Sequence, residues 1–151
     1  MGTPSLKFRV DFKEVQQAIG DLRKKVENPR DMMQEIGDIV VEDIRHRIST
    51  LKQSPEGEAW SPWADSTAKA RQRKGNAALG LLVDSGTLLR SITSQVIGSH
   101  HTVQIGTSVP YAGYLNDGTP KMPARPFLGV SERAQQSINE AMKLYLGENL
   151  K

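Results

Sequence analysis

The chain has no cysteine among its 151 residues. Disulfides and thiolate metal sites are thereby excluded, and a reducing compartment fits best. No apolar run approaches the ~20 residues of a membrane span. Met1-Gly2-Thr3-Pro4-Ser5 lacks the basic start and apolar core of a signal peptide, so no membrane association is expected and synthesis in the cytoplasm is. Catalytic patterns are missing as well. Glu42 and His46 stand one helical turn apart, but a zincin site needs two histidines flanking the glutamate, and a solvated helix face is the simpler reading. His100-His101 has no third ligand nearby in sequence. Asp84-Ser85-Gly86 is not the Gly-x-Ser-x-Gly elbow of a hydrolase and reads as helix capping. Gly75, Gly80 and Gly86 are wrongly spaced for a phosphate-cradling loop. A non-enzymatic protein with no catalytic, metal or cofactor site is the expectation.

What is present has the size of a single domain, residues 1–151, able to bury a core. Hydrophobic residues make up 37% and charged residues 25% of the chain. Aromatic residues are sparse at 5%, yet Trp60 and Trp63 stand close together in the most polar part of the chain. The net charge of +3 is mild, but Lys69, Arg71, Arg73 and Lys74 form a cluster.

The alternation of Leu6, Phe8, Val10 and Phe12 with polar residues predicts a half-buried strand. Asp11 and Glu14 resemble a capping box opening a helix with the stripe Val15, Ile19, Leu22 and Val26. Asn28-Pro29 signals a second helix, with Asp31 near its positive end and an apolar stripe at Met33, Ile36, Val40, Ile44, Ile48 and Leu51. Asp84 or Ser85 caps a short turn through Leu88-Leu89. Ile92, Ser94 and Val96 share one face of a strand, Val103 and Ile105 a face of the next, with a hairpin turn at Gly98-Ser99-His100-His101. Tyr111 to Leu115 forms a helical turn ended by Asn116-Asp117-Gly118. Arg125 to Val130 is expected as a further strand, and Ser131 as the cap of a last helix bearing Ala134, Ile138, Met142 and Tyr145, with Gly147 as its stop. The class is α+β, a small antiparallel sheet packed by helices, with a long extended loop at about 52–80.

That loop is the informative part. Ordering some twenty residues costs on the order of 20–40 kcal/mol. Burying Trp60 and Trp63 returns about 4–6 kcal/mol each. The segment is therefore expected to be mobile or to have its burial completed by a partner, with the two tryptophans as interface anchors. The alternative is that both fold back onto their own helices. Lys69, Arg71, Arg73 and Lys74 form either a solvated face or, repeated around a ring, a lumen lining that attracts DNA phosphates without reading bases.

Three stretches resemble the phage virion morphogenesis family, which includes tail completion proteins and relatives in Mu-like phages. The first is Gly57-Glu58-Ala59-Trp60-Ser61-Pro62-Trp63 with Ser66-Thr67. The second is Leu82-Val83-Asp84-Ser85-Gly86-Thr87-Leu88 with Ser91-Ile92. The third is Tyr111-Ala112 and Gly118, then Pro123-Ala124-Arg125-Pro126-Phe127-Leu128-Gly129. Trp63 and Ser85 stand where the family pattern has leucine and threonine, and Asn116-Asp117-Gly118 replaces the usual His-Gln-x-Gly. The resemblance implies an architectural role in the virion, as a subunit of a ring, commonly of six, at the head–tail junction. Its partners would be copies of itself and neighbouring tail or neck proteins, with possible contact to passing DNA. Trp60, Trp63, Arg125 and Phe127 are the candidate oligomer-interface residues. Arg125 is expected to pair with an acid, either across a subunit boundary or within the chain. Two other readings stay open: an assembly factor absent from the mature particle, and a small cytoplasmic nucleic-acid-binding module.

Overall fold

The main periodic elements fall where their periodicities place them in the computed structural model, which describes residues 5–11, 13, 29–98 and 101–147. The expected helix through Val15, Ile19, Leu22 and Val26 lies outside the described residues, as do Phe12, Asn28, Ser99 and His100. Strand β1 (Leu6–Asp11) forms one edge of a three-stranded antiparallel sheet, β3 (Thr102–Thr107) its centre and β2 (Thr93–Ile97) the other edge. The register sets Phe8 opposite Ile105 and Val10 opposite Val103. On the other side of β3, Ser94 meets Ile105 and Val96 meets Val103. The period of two thus gathers Leu6, Phe8, Val10, Val96, Val103 and Ile105 on one face.

That face packs on α1 (Arg30–His46). Pro29 directly precedes its first residue and its carbonyl accepts the Met33 N–H at 2.9 Å. Met33, Ile36, Val40, Ile44 and Ile48 are all buried, as their spacing predicts. Gly37 sits where the helix crosses the sheet. A Cβ there would lie 2.8 Å from both Ser94 Cβ and Val103 Cγ2, so the close approach requires glycine.

Leu51 departs from the predicted stripe and is 41% exposed. The last turn, Arg47–Leu51, widens to a π-helix, which rotates Leu51 off the apolar face. Lys52 then turns into the left-handed region at φ 56°. Its ammonium donates to the Ile48 and Ser49 carbonyls at 2.6 and 2.7 Å, satisfying acceptors that the helix end leaves open. Burial lowers the Lys52 pKa from its ordinary value.

Two further helices follow, α2 (Asp65–Arg73) and α3 (Thr87–Ser91), the latter entered through Gly86 at φ 78°. After the hairpin come α4 (Ala112–Asp117) and α5 (Glu132–Gly147). Ser131 Oγ accepts the Ala134 N–H at 3.1 Å, so it caps α5. Ala134 and Ile138 are buried, and α5 packs on α1.

Two expectations need correction. The stretch Arg125–Val130 is irregular and joins no sheet. Its backbone groups are engaged elsewhere. The Arg125 N–H donates to the Leu115 carbonyl at 2.9 Å. The Phe127 and Leu128 N–H groups donate to Asn116 Oδ1 at 3.1 and 3.2 Å. Pro123 and Pro126 have no N–H to offer a ladder. The segment 52–80, in turn, is not without regular structure: it contains α2 and a short 3₁₀ turn at Ala77–Leu79.

Candidate functional site

Much of the segment 52–80 is fastened to its own chain, as in the alternative in which both tryptophans fold back. Gln53 bridges to Ala59, Ser54 Oγ accepts the Glu58 N–H, and the Trp60 N–H donates to the Lys52 carbonyl at 3.0 Å. Trp60 is 6% exposed, and its indole N–H donates to the Pro126 carbonyl at 2.9 Å. Trp63 is half-buried, with its indole N–H donating to the Leu81 carbonyl at 3.2 Å. The bulk estimate from tryptophan burial counted none of these hydrogen bonds, and the Pro126 acceptor of Trp60 lies too far away in sequence to be read from a local pattern.

The stretch Pro123–Gly129 is the hub of this anchoring. Arg125, 4% exposed, donates from Nε to the Ser61 carbonyl at 2.9 Å and from Nη2 to the Pro62 carbonyl at 2.8 Å. Its fork meets two backbone carbonyls in its own chain, not the carboxylate that the sequence suggested. Desolvation lowers its pKa from the ordinary arginine value. Phe127 is fully buried in the core beside it. On the other side Arg47, fully buried, binds Asp43 Oδ2 at 2.9 Å and donates to the Phe127 and Gly129 carbonyls at 3.0 and 2.9 Å. Residues 126–129 are thus fastened to α1 by one arginine, and residue 125 holds the loop by another. Arg47 was not singled out from the sequence, and Asn116 was read only as part of a turn, without its bonds to the Phe127 and Leu128 N–H groups. The only hint of Arg47 was an arginine one place before the apolar position Ile48.

The four clustered cations separate. Arg71 turns inward, with its guanidinium 4.9 Å from the Trp63 ring centroid, a bond to the Val83 carbonyl and an ion pair with Asp84 at 3.6 Å. Lys69, Arg73 and Lys74 are exposed and form no ion pair with a described residue. No residue of α2 is buried.

Among the described residues, no group of three histidines or carboxylates could hold a metal, and no helix is long and apolar enough to cross a membrane. A hollow of about 740 Å³ between α1 and β2 is lined by Gln34, Asp38, Arg45, Gln95 and Gln104 among others. Some of its polar groups are tied together: Gln34 Nε2 donates to Asp38 and Ser94, and Arg45 Nη2 to the Ile92 carbonyl, while Arg45 Nε meets no acceptor among the described residues.

The model of the phage virion morphogenesis family matches residues 10–147. A relative from Haemophilus influenzae named "Mu-like prophage FluMu G protein 1" is 26% identical over 143 residues, covering 95% of this chain and 96% of the relative. A second, from Escherichia phage Mu and named "Putative capsid assembly protein G", is 28% identical over 142 residues, covering 89% of each. No solved structure matches.

Proposed function

The chain belongs to the phage virion morphogenesis family, and from that premise we propose that it is a non-catalytic structural subunit. It assembles with copies of itself into a ring at or near the head–tail junction of the particle, with six subunits as the expected number. Neighbouring tail or neck proteins are its other partners. One observation carries the reading: α2, a helix with no buried residue, is displayed on a segment that is otherwise firmly anchored. Isolated helices shorter than ~12–15 residues are marginal in water and gain most of their stability from packing one face. The inward face of α2 is held by Arg71. Its outward face is left for another molecule, which suits a subunit that becomes complete in an assembly. Trp60, Arg125 and Phe127 support that assembly from within, by fixing the platform from which α2 projects. Trp63 sits at the base of α2, partly open to a neighbour.

Native mass spectrometry and class averages of the purified protein test the ring. A closed oligomer of defined number is expected. A monomer at every accessible concentration would overturn the reading. Mass spectrometry of purified virions separates a particle component from an assembly factor that leaves before maturation. A second reading is favoured by the three outward cations of the segment: contact with DNA phosphates in the ring lumen. It predicts binding to duplex DNA that falls steeply with salt and is indifferent to sequence.

A further inference from the structure

We propose that the contact between ring neighbours is made by two different surfaces: the basic outer face of α2 on one subunit seats in the acidic groove between α1 and α5 of the next. The inference deepens the ring reading and rests on it.

The first surface is set by helical geometry. Arg71 points into its own chain. Lys69 and Arg73 lie two residues before and after it, which at 100° per residue places both on the opposite side of the helix. They are one turn, ~6 Å, apart. Lys74 caps the same end.

The second surface runs along α1. Glu35, Asp38 and Glu42 fall at i, i+3 and i+7 and are all exposed. Their successive rises, ~4.5 and ~6 Å, match the spacing of Lys69 and Arg73. Neither Glu35 nor Glu42 forms an ion pair with a described residue. These carboxylates border a groove of about 340 Å³ whose floor includes Ile39 of α1 and Ala134 of α5. Among the described residues, Arg133 is the one cation lining it. Asp43, 6% exposed, also lines it: its Oδ2 holds Arg47, while its Oδ1 has no hydrogen-bond partner among the described residues. The groove therefore has negative charge and a buried acceptor that no described residue of its own chain uses.

Opposite charges on two separate patches of one chain favour head-to-tail association. A heterologous contact of this kind closes into a ring when the rotation permits, whereas a self-complementary patch stops at a dimer. Charge complementarity also suppresses wrong pairings and sets the register. The occupant of the groove is thus a second copy of this chain.

Three full-length variants test this. Lys69→Glu/Arg73→Glu reverses the first surface, Glu35→Lys/Glu42→Lys the second, and a third carries all four changes. All four positions are exposed, and circular dichroism checks that each variant folds. Each double variant is expected to weaken self-association about 100-fold, and the quadruple variant to recover it to within about tenfold. The association of the wild type should also weaken with salt. If the wild type forms rings and either double variant does too, with unchanged affinity, the contact lies elsewhere: this inference fails and the ring reading stands. If the wild type never associates, the ring reading itself fails. Loss of DNA binding in Lys69→Glu/Arg73→Glu, with the ring intact, would assign these cations to DNA and overturn the proposal.

Discussion

Replacing Arg125 releases the segment around Trp60 without opening the core, and the size of the effect follows from two hydrogen bonds. The guanidinium donates to the Ser61 and Pro62 carbonyls at 2.9 and 2.8 Å. Bonds from a charged donor contribute about 1.5–3 kcal/mol each. Arg125→Met removes both. Ser61 and Pro62 are exposed, so water replaces part of the loss, and the methionine no longer confines a charge. The net cost is then about 2–4 kcal/mol. Arg125→Lys retains one point donor in place of a fork and costs about 1–2 kcal/mol. At a factor of ten per 1.4 kcal/mol, the methionine variant opens this segment roughly 30- to 700-fold more often. Hydrogen exchange reads this directly at the Trp60 amide, which donates to the Lys52 carbonyl, against the Ile105 amide in the central strand as an internal reference. The expected order of Trp60 protection is wild type, then lysine, then methionine, measured on dilute monomer. Less than a threefold change in the methionine variant would show that the segment is held by something other than Arg125, and the account of its anchoring would fall.

Further outcomes concern the frame around the site. Arg47→Ala strands the Asp43 carboxylate and two carbonyls in the interior and should cost about 3–5 kcal/mol in urea unfolding, with Asp43→Asn added to it recovering part of the loss. Gly37→Ala pushes a methyl into Ser94 and Val103 and should cost about 1–3 kcal/mol, with no change in the slope of the unfolding curve. Phe127→Ala, in a fully buried site, should lower stability by about 3–5 kcal/mol in the same assay. A loss below 1 kcal/mol there would mean that the Pro123–Gly129 stretch is not part of the core.

The elements with a strong period were legible. The stripe from Met33 to Ile48 and the alternation in β1, β2 and β3 read correctly because each reports which face of a local structure meets the core. The cap at Ser131 was legible for the same reason, since its hydrogen bond spans three residues. Helix α2 was not: with alanines and charges and no apolar stripe, it leaves no periodic trace. The Arg125–Val130 stretch failed in the opposite direction, because Phe127, Leu128 and Val130 look like a strand whether or not a neighbouring strand exists to pair with.

By itself the sequence determined the class of fold, the composition of its core and the family to which it belongs, because those depend on local pattern and on stretches matched in order. Only the tertiary structure decided that Arg125 and Arg47 fasten the same stretch from two sides, that Arg71 parts company with Lys69 and Arg73, and that an acidic stripe with no ion pair to a described residue lies on a different helix from cations that also have none. Each of these depends on where a guanidinium finds its acceptors. The partners of Arg125 are backbone carbonyls more than sixty residues away, and a carbonyl has no residue type for a sequence pattern to reveal.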